Sequence, residues 1–274
     1  MNSVLLSVPV SSKRKQLKPI YNKVNEVASP GDVVFFVSDR TKNTSFSILR
    51  RIYRRWQGFA DEDNTVWHTS IYTGSKKDSR GSQIRPYIIH AIRGGVEEIH
   101  LPPSYFHSTR MDTGEIVRNG HIEVVQNPDL TPAQRSEIVE FVRNHLGKPF
   151  NDLDWRHDIL TYALGLPAVQ LDPGKVSCHG LAFDAYEKIG FSFSHQLRYA
   201  PVFNIGKYLG HPLGDPPRRA NLRRLYLHDH HLYRDPRFMC ILSIFEDNQD
   251  REIRTVENPG KYSWNPILQK KYTL

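Results

Sequence analysis

The sequence predicts an α+β chain in which a small antiparallel sheet packs against helices, with one cysteine at a helix N-terminus. Two observations carry that prediction. Between residues 29 and 125, short runs of β-branched and aromatic residues alternate with turn clusters, and after residue 131 the apolar spacing changes to the helical period. The size agrees: 274 residues, 39% hydrophobic and 24% charged, are enough to bury a core and too apolar for a disordered chain. The length fits one elaborated domain better than two independent enzymes.

Residues 1–28 are polar and lysine-bearing and read as a lead-in with room for one helix. Ser29-Pro30-Gly31-Asp32 is a turn cluster in which Asp32 is expected to fix the turn through backbone hydrogen bonds, and Val33–Val37 is a buried strand. Ile48, Leu49, Ile52, Tyr53 and Trp56 recur at helical spacing with Arg50, Arg51, Arg54 and Arg55 between them, which predicts a basic amphipathic helix. Strands follow at Val66–Tyr72, ended by Gly74, at Tyr87–Ile92, at Val96–Leu101 after the Gly94-Gly95 turn, and at His121–Val125. Thr131-Pro132-Ala133-Gln134 is a capping box that opens a helix running to Leu146 and stopping at Gly147. Asp158–Leu164 reads as a short helix, and Ser177–Ile189 as another, with Ser177 as its N-cap and Gly190 as its stop. Beyond residue 195 the pattern weakens to loop material and one strand at Phe238–Phe245, so 29–195 is expected to be the domain and 196–274 a basic extension packed on or beside it.

The formal net charge is +8. Residues 39–56 hold Arg40, Lys42, Arg50, Arg51, Arg54 and Arg55 against Asp39 alone, and residues 201–240 hold seven Lys and Arg against three Asp. Such patches suit an anionic surface or a solvated face; no zinc-finger, RNP or helix-turn-helix pattern accompanies them, so nucleic-acid recognition is not expected. No apolar run approaches the ~18 residues of a membrane span, and the start lacks a Sec-type signal pattern, which places the protein in the cytoplasm or on an export route without such a signal. His228-Asp229-His230-His231 is dense in metal donors, but consecutive residues seldom converge on one ion, and neither metal nor cofactor is assigned.

Cys178 and Cys240 are the only cysteines. Cys240 lies among apolar residues and reads as inert core. Cys178 follows a capping serine, so its sulfur meets the unpaired N–H groups and the dipole of a helix start, which favour a thiolate. The apolar positions Leu181, Ala182, Tyr186 and Ile189 back that helix, leaving the thiol end facing outward. A thiol nucleophile needs a base and the base an orienting partner. His68 and His90 fall on successive predicted strands, where cross-strand neighbours can touch, although 13 histidines make a chance pair easy to find. By itself a cysteine at a helix start is more often a packed residue than a nucleophile.

Five blocks in order, Pro30-Gly31-Asp32-Val33-Val34-Phe35, Trp67-His68-Thr69-Ser70-Ile71-Tyr72-Thr73-Gly74, Ile88-Ile89-His90-Ala91, Gly147-Lys148-Pro149-Phe150-Asn151 and Val176-Ser177-Cys178-His179-Gly180-Leu181, resemble the circularly permuted papain-like members of the NlpC/P60 superfamily, of the YiiX-like type. The resemblance covers residues 29–192 and implies that fold, with Cys178 as nucleophile, His68 as general base and His90 as the orienting residue. YiiX-like relatives usually carry Glu at the position of His90, which weakens the electrostatic support for an imidazolium. His179 is a further departure, either a surface residue or a second basic group near substrate. The backbone N–H of Cys178 would help to hold the oxyanion, a contribution typically worth ~3 kcal/mol per donor.

The expected activity is therefore a cysteine hydrolase that cleaves an amide of a peptide or cell-wall peptide through an acyl-enzyme. A lipid acyl hydrolase or acyltransferase at an anionic membrane, contacted through Arg50, Arg51, Arg54 and Arg55, is the second reading. A non-catalytic basic binding module is the third.

Overall fold

The run Val33-Val34-Phe35-Phe36-Val37 offers no polar position to turn towards water, and such a strand is stable only where both faces are covered. In the computed structural model it forms the centre of the sheet. The structure describes residues 6–8, 13–38, 65–77, 81, 84–101, 107–109, 116–151, 174–193, 232–233, 235–246 and 253–260. The predicted helices at 45–56 and 158–164, the arginines of the first and the His228–His231 cluster lie outside these residues.

Nine strands are described: β1 (Leu6–Val8), β2 (Val33–Ser38), β3 (Thr65–Lys77), β4 (Ile84–Ile92), β5 (Gly95–His100), β6 (His107–Thr109), β7 (Ile116–Gln126), β8 (Met239–Glu246) and β9 (Ile253–Gly260). They pair antiparallel in the order β1-β9-β8-β7-β2-β3-β4-β5, with β6 on β7. Helix α1 (Lys13–Val27) covers one face, and α2 (Pro132–Arg143) and α3 (Cys178–Lys188) cover the other. The alternation of β2 divides the core between them. Val33, Phe35 and Val37 join Ile71, Ile89 and the inward residues of α2 and α3. Val34 and Phe36 join Tyr72, Ile88, Ile122 and, from α1, Ile20 and Val24.

The sheet is larger than the small one expected from residues 29–125, and it crosses both expected domain boundaries. β8 pairs with β7, β9 with β8, and β1 with β9, so described parts of the lead-in and of the extension complete the same sheet. The outer edge of β7 carries unpaired backbone groups until β8 covers it, and Leu242 and Ile244 of β8 become fully buried there. Two element ends also differ. β3 runs through Gly74 to Lys77, passing the glycine at a register shift. Helix α2 ends at Arg143, and a turn carries Leu146, which is exposed, to Gly147 at φ 81°.

Two local devices place the elements around the site. At the start of β2, Ser29 N–H donates to Asp32 Oδ2 at 2.8 Å, the turn role expected of this residue. The other carboxylate oxygen accepts from Arg135 of α2 at 2.5 Å, and Tyr186 of α3 donates its hydroxyl to Gly31 O at 2.7 Å. One turn thus anchors both helices to the sheet. The second device is the segment 147–151. Gly147 N–H donates to Val96 O and Val96 N–H to Lys148 O, both at 2.9 Å. Pro149 and Asn151 then exchange backbone bonds with Val176, two residues before Cys178.

Candidate active site

Helix α3 begins at Cys178, and Ser177 caps it in extended conformation, its Oγ accepting from Gly180 N–H at 3.1 Å. The expected cap is present. Because the chain of backbone bonds runs from Val96 through Lys148 and Pro149 to Val176, the helix start is held at the end of the sheet where β4 turns into β5. Cys178 is half-buried. At 100° per residue it stands in line with the buried Leu181, Ala182 and Ala185. His179 places Nε2 3.5 Å from Ser177 Oγ. Cys240, the second thiol, is buried in the core shared with α3.

The two histidines meet. His90 lies opposite Ser70 in the β3–β4 ladder, so His68 is its diagonal neighbour, and His68 Nε2 is 2.9 Å from His90 Nδ1. The rings are 5.0 Å apart and near edge-to-face. Both side chains are buried, and burial together with the neighbouring imidazole lowers the pKa of His68 to about 3. His90 is also lowered by burial, a shift opposed by Glu97. Both rings are therefore held neutral at rest.

Glu97 was not singled out from the sequence. It faces His90 across the β4–β5 hairpin, with Oε1 3.2 Å from His90 Nε2. The hairpin register supplies the signal that could have found it. With Gly94-Gly95 taken as the turn pair, His90 would oppose Ile99. The structure turns instead on Arg93-Gly94, pairs Ile92 with Gly95, and brings His90 opposite Glu97.

The structure does not bring Cys178 and the imidazoles into one hydrogen-bonded set. No hydrogen bond joins the sulfur to either ring among the described residues. The pleat gives the reason. Directly opposed residues of an antiparallel pair point to the same face. His68 opposes Phe36, whose ring it touches at 5.2 Å between centroids, and Phe36 belongs to the core on the α1 side. His90 shares the parity of Ile88 on that side, whereas α3 packs on Ile71 and Ile89 of the other. His68 keeps the unbroken register that runs from Val33 opposite Ile71 to Phe36 opposite His68, and the bulge between His68 and Val66 lies beyond it.

No group of three or more potential metal ligands occurs among the described residues. No described helix is long and apolar enough to cross a membrane. No protein-family model matches the chain, and no curated protein matches it.

Proposed function

We propose that the protein is a papain-like cysteine hydrolase that cleaves an amide bond, with Cys178 as nucleophile, His68 as general base and His90 as the residue that orients it. The observation that carries this function is the buried imidazole pair, joined at 2.9 Å, at the end of the sheet to which the 147–151 segment ties the capped start of α3. A half-buried sulfur at a helix start and an imidazole neutral at rest supply the nucleophile and the base that thiol acyl transfer requires.

In the reaction His68 takes the thiol proton as Sγ attacks the carbonyl carbon. The tetrahedral oxyanion meets N–H groups of the first turn of α3, which have no partner inside the helix. The C–N bond breaks, and His68 returns its proton to the leaving amine. Water, deprotonated by the same ring, then resolves the thioester, releasing the acid and restoring the thiol. At rest His68 faces the α1 side of the sheet and α3 packs on the other, so proton transfer requires this end of the sheet to rearrange when substrate binds, as catalytic contacts often tighten only then.

The test compares the two thiols and two variants. Iodoacetamide should label Cys178 at least tenfold faster than Cys240 at neutral pH, and Cys178→Ala and His68→Ala should each abolish amine release from peptide or cell-wall peptide substrates. Equal labelling of both thiols, or undiminished turnover in Cys178→Ala, would remove the thiol mechanism. Fatty-acid release from anionic vesicles with no peptide cleavage would transfer the same acyl-enzyme to lipid.

A further inference from the structure

We infer that Glu97 is a positioning residue that sets the direction of the hydrogen-bond chain through both histidines, so that His68 presents an unprotonated Nδ1. This rests on the hydrolase reading for its purpose, but its geometry stands apart from it. A carboxylate accepts hydrogen bonds and donates none. Glu97 Oε1, at 3.2 Å, therefore requires the proton of His90 to sit on Nε2. A neutral imidazole with its proton on Nε2 has a lone pair on Nδ1. His90 Nδ1 must then accept, and the donor at 2.9 Å is His68 Nε2–H. The same rule applied to His68 leaves the lone pair on its Nδ1, the nitrogen turned away from His90.

Each step excludes the opposite polarity. Were His90 protonated on Nδ1, its Nε2 lone pair would face the carboxylate and His68 would carry its proton on Nδ1, where it could not accept one. The polarity of the whole chain is thus decided at its solvent end, since Glu97 is 48% exposed while the His90 side chain is fully buried. The carboxylate also supplies the negative charge that His90 itself lacks. When His68 takes a proton, the resulting imidazolium is backed through His90 by Glu97, a charge-assisted arrangement stronger than two neutral rings alone. Glu97 holds its place because the two-residue turn fixes the register that opposes it to His90.

The experiment reads ring protonation directly, by long-range proton–nitrogen correlation spectra of the full chain labelled with nitrogen-15 at histidine. At neutral pH the wild type should show His68 and His90 each protonated on Nε2 and bare on Nδ1. Glu97→Leu should shift the tautomer ratio of His90 by about tenfold or more, the worth of one hydrogen bond to a charged group, and the ratio of His68 should move with it. Backbone amide signals of β4 and β5 report whether the variant keeps its fold, and the wild-type spectrum tests the polarity without any variant. A proton on Nδ1 of His90 in the wild type, or unchanged ring patterns in a folded Glu97→Leu, would overturn the inference. Both results are independent of turnover. Full hydrolase activity in Cys178→Ala would instead defeat the catalytic reading and leave the positioning role intact.

Discussion

Acidification should destabilise this protein through His68 by an amount the structure sets. The ring is buried, and its pKa falls from 6.5 to about 3 because burial, and then His90, penalise the charged form. In the unfolded chain the same ring takes up a proton near pH 6.5. A depressed folded pKa means that the unfolded state binds more protons in the window between the two values. The stabilising contribution is therefore present above pH 6.5 and is lost progressively as pH falls towards about 3. At pH 4.5 the unfolded ring is protonated and the folded one remains neutral, which amounts to a loss of about 2 to 3 kcal/mol relative to pH 7. That is a large share of the 5 to 15 kcal/mol typical of a domain. Urea unfolding of the wild type and of His68→Gln, at pH 7 and pH 4.5, isolates the term. Glutamine keeps a polar group beside His90 and does not titrate, so the stability difference between the two proteins should narrow by about 2 to 3 kcal/mol on acidification. A difference that stays constant, or widens, would refute the assignment of His68 as a buried neutral ring.

Other perturbations test the supports of the site. Asp32→Ala leaves the largely buried Arg135 without its carboxylate and should cost about 3 to 5 kcal/mol in urea unfolding. Ser177→Ala removes the acceptor for Gly180 N–H and should cost about 1 kcal/mol. Gly180→Ala would place a methyl 2.8 Å from Ser177 Oγ, so it should disturb the helix start and lower the labelling rate of Cys178. Gly95→Ala meets two obstacles, a φ of 115° and a new Cβ 2.9 Å from Lys148 O, and should lower the thermal midpoint more than Gly94→Ala, which meets nothing within 4 Å.

Much of this architecture was legible in the amino-acid sequence because its signals are local. The Thr131 capping box, the Ser177 cap and the Ser29–Asp32 turn formed as expected, since each is specified within a few residues. The buried strand at Val33–Val37 was legible because five consecutive apolar residues admit few other states. The strands β1, β6 and β9 were missed. β1 has three residues, and β9 carries Arg254, Glu257 and Asn258, so neither shows a periodicity of its own. They are strands because a partner edge completes their hydrogen bonds.

The sequence by itself determined which residues could do chemistry here: a cysteine placed by a serine cap at a helix start, and two histidines on successive strands. Only the tertiary structure decided how they stand to one another. The face on which a strand residue projects and the residue it meets both depend on register: a one-residue slip reverses the face, and a turn displaced by one residue moves the partner by two positions. The pairing of β3 with β2 sets His68 opposite Phe36 on the α1 side, and the turn at Arg93-Gly94 puts Glu97 opposite His90. Neither choice is written in the spacing of the residues, because each is made by hydrogen bonds to another strand.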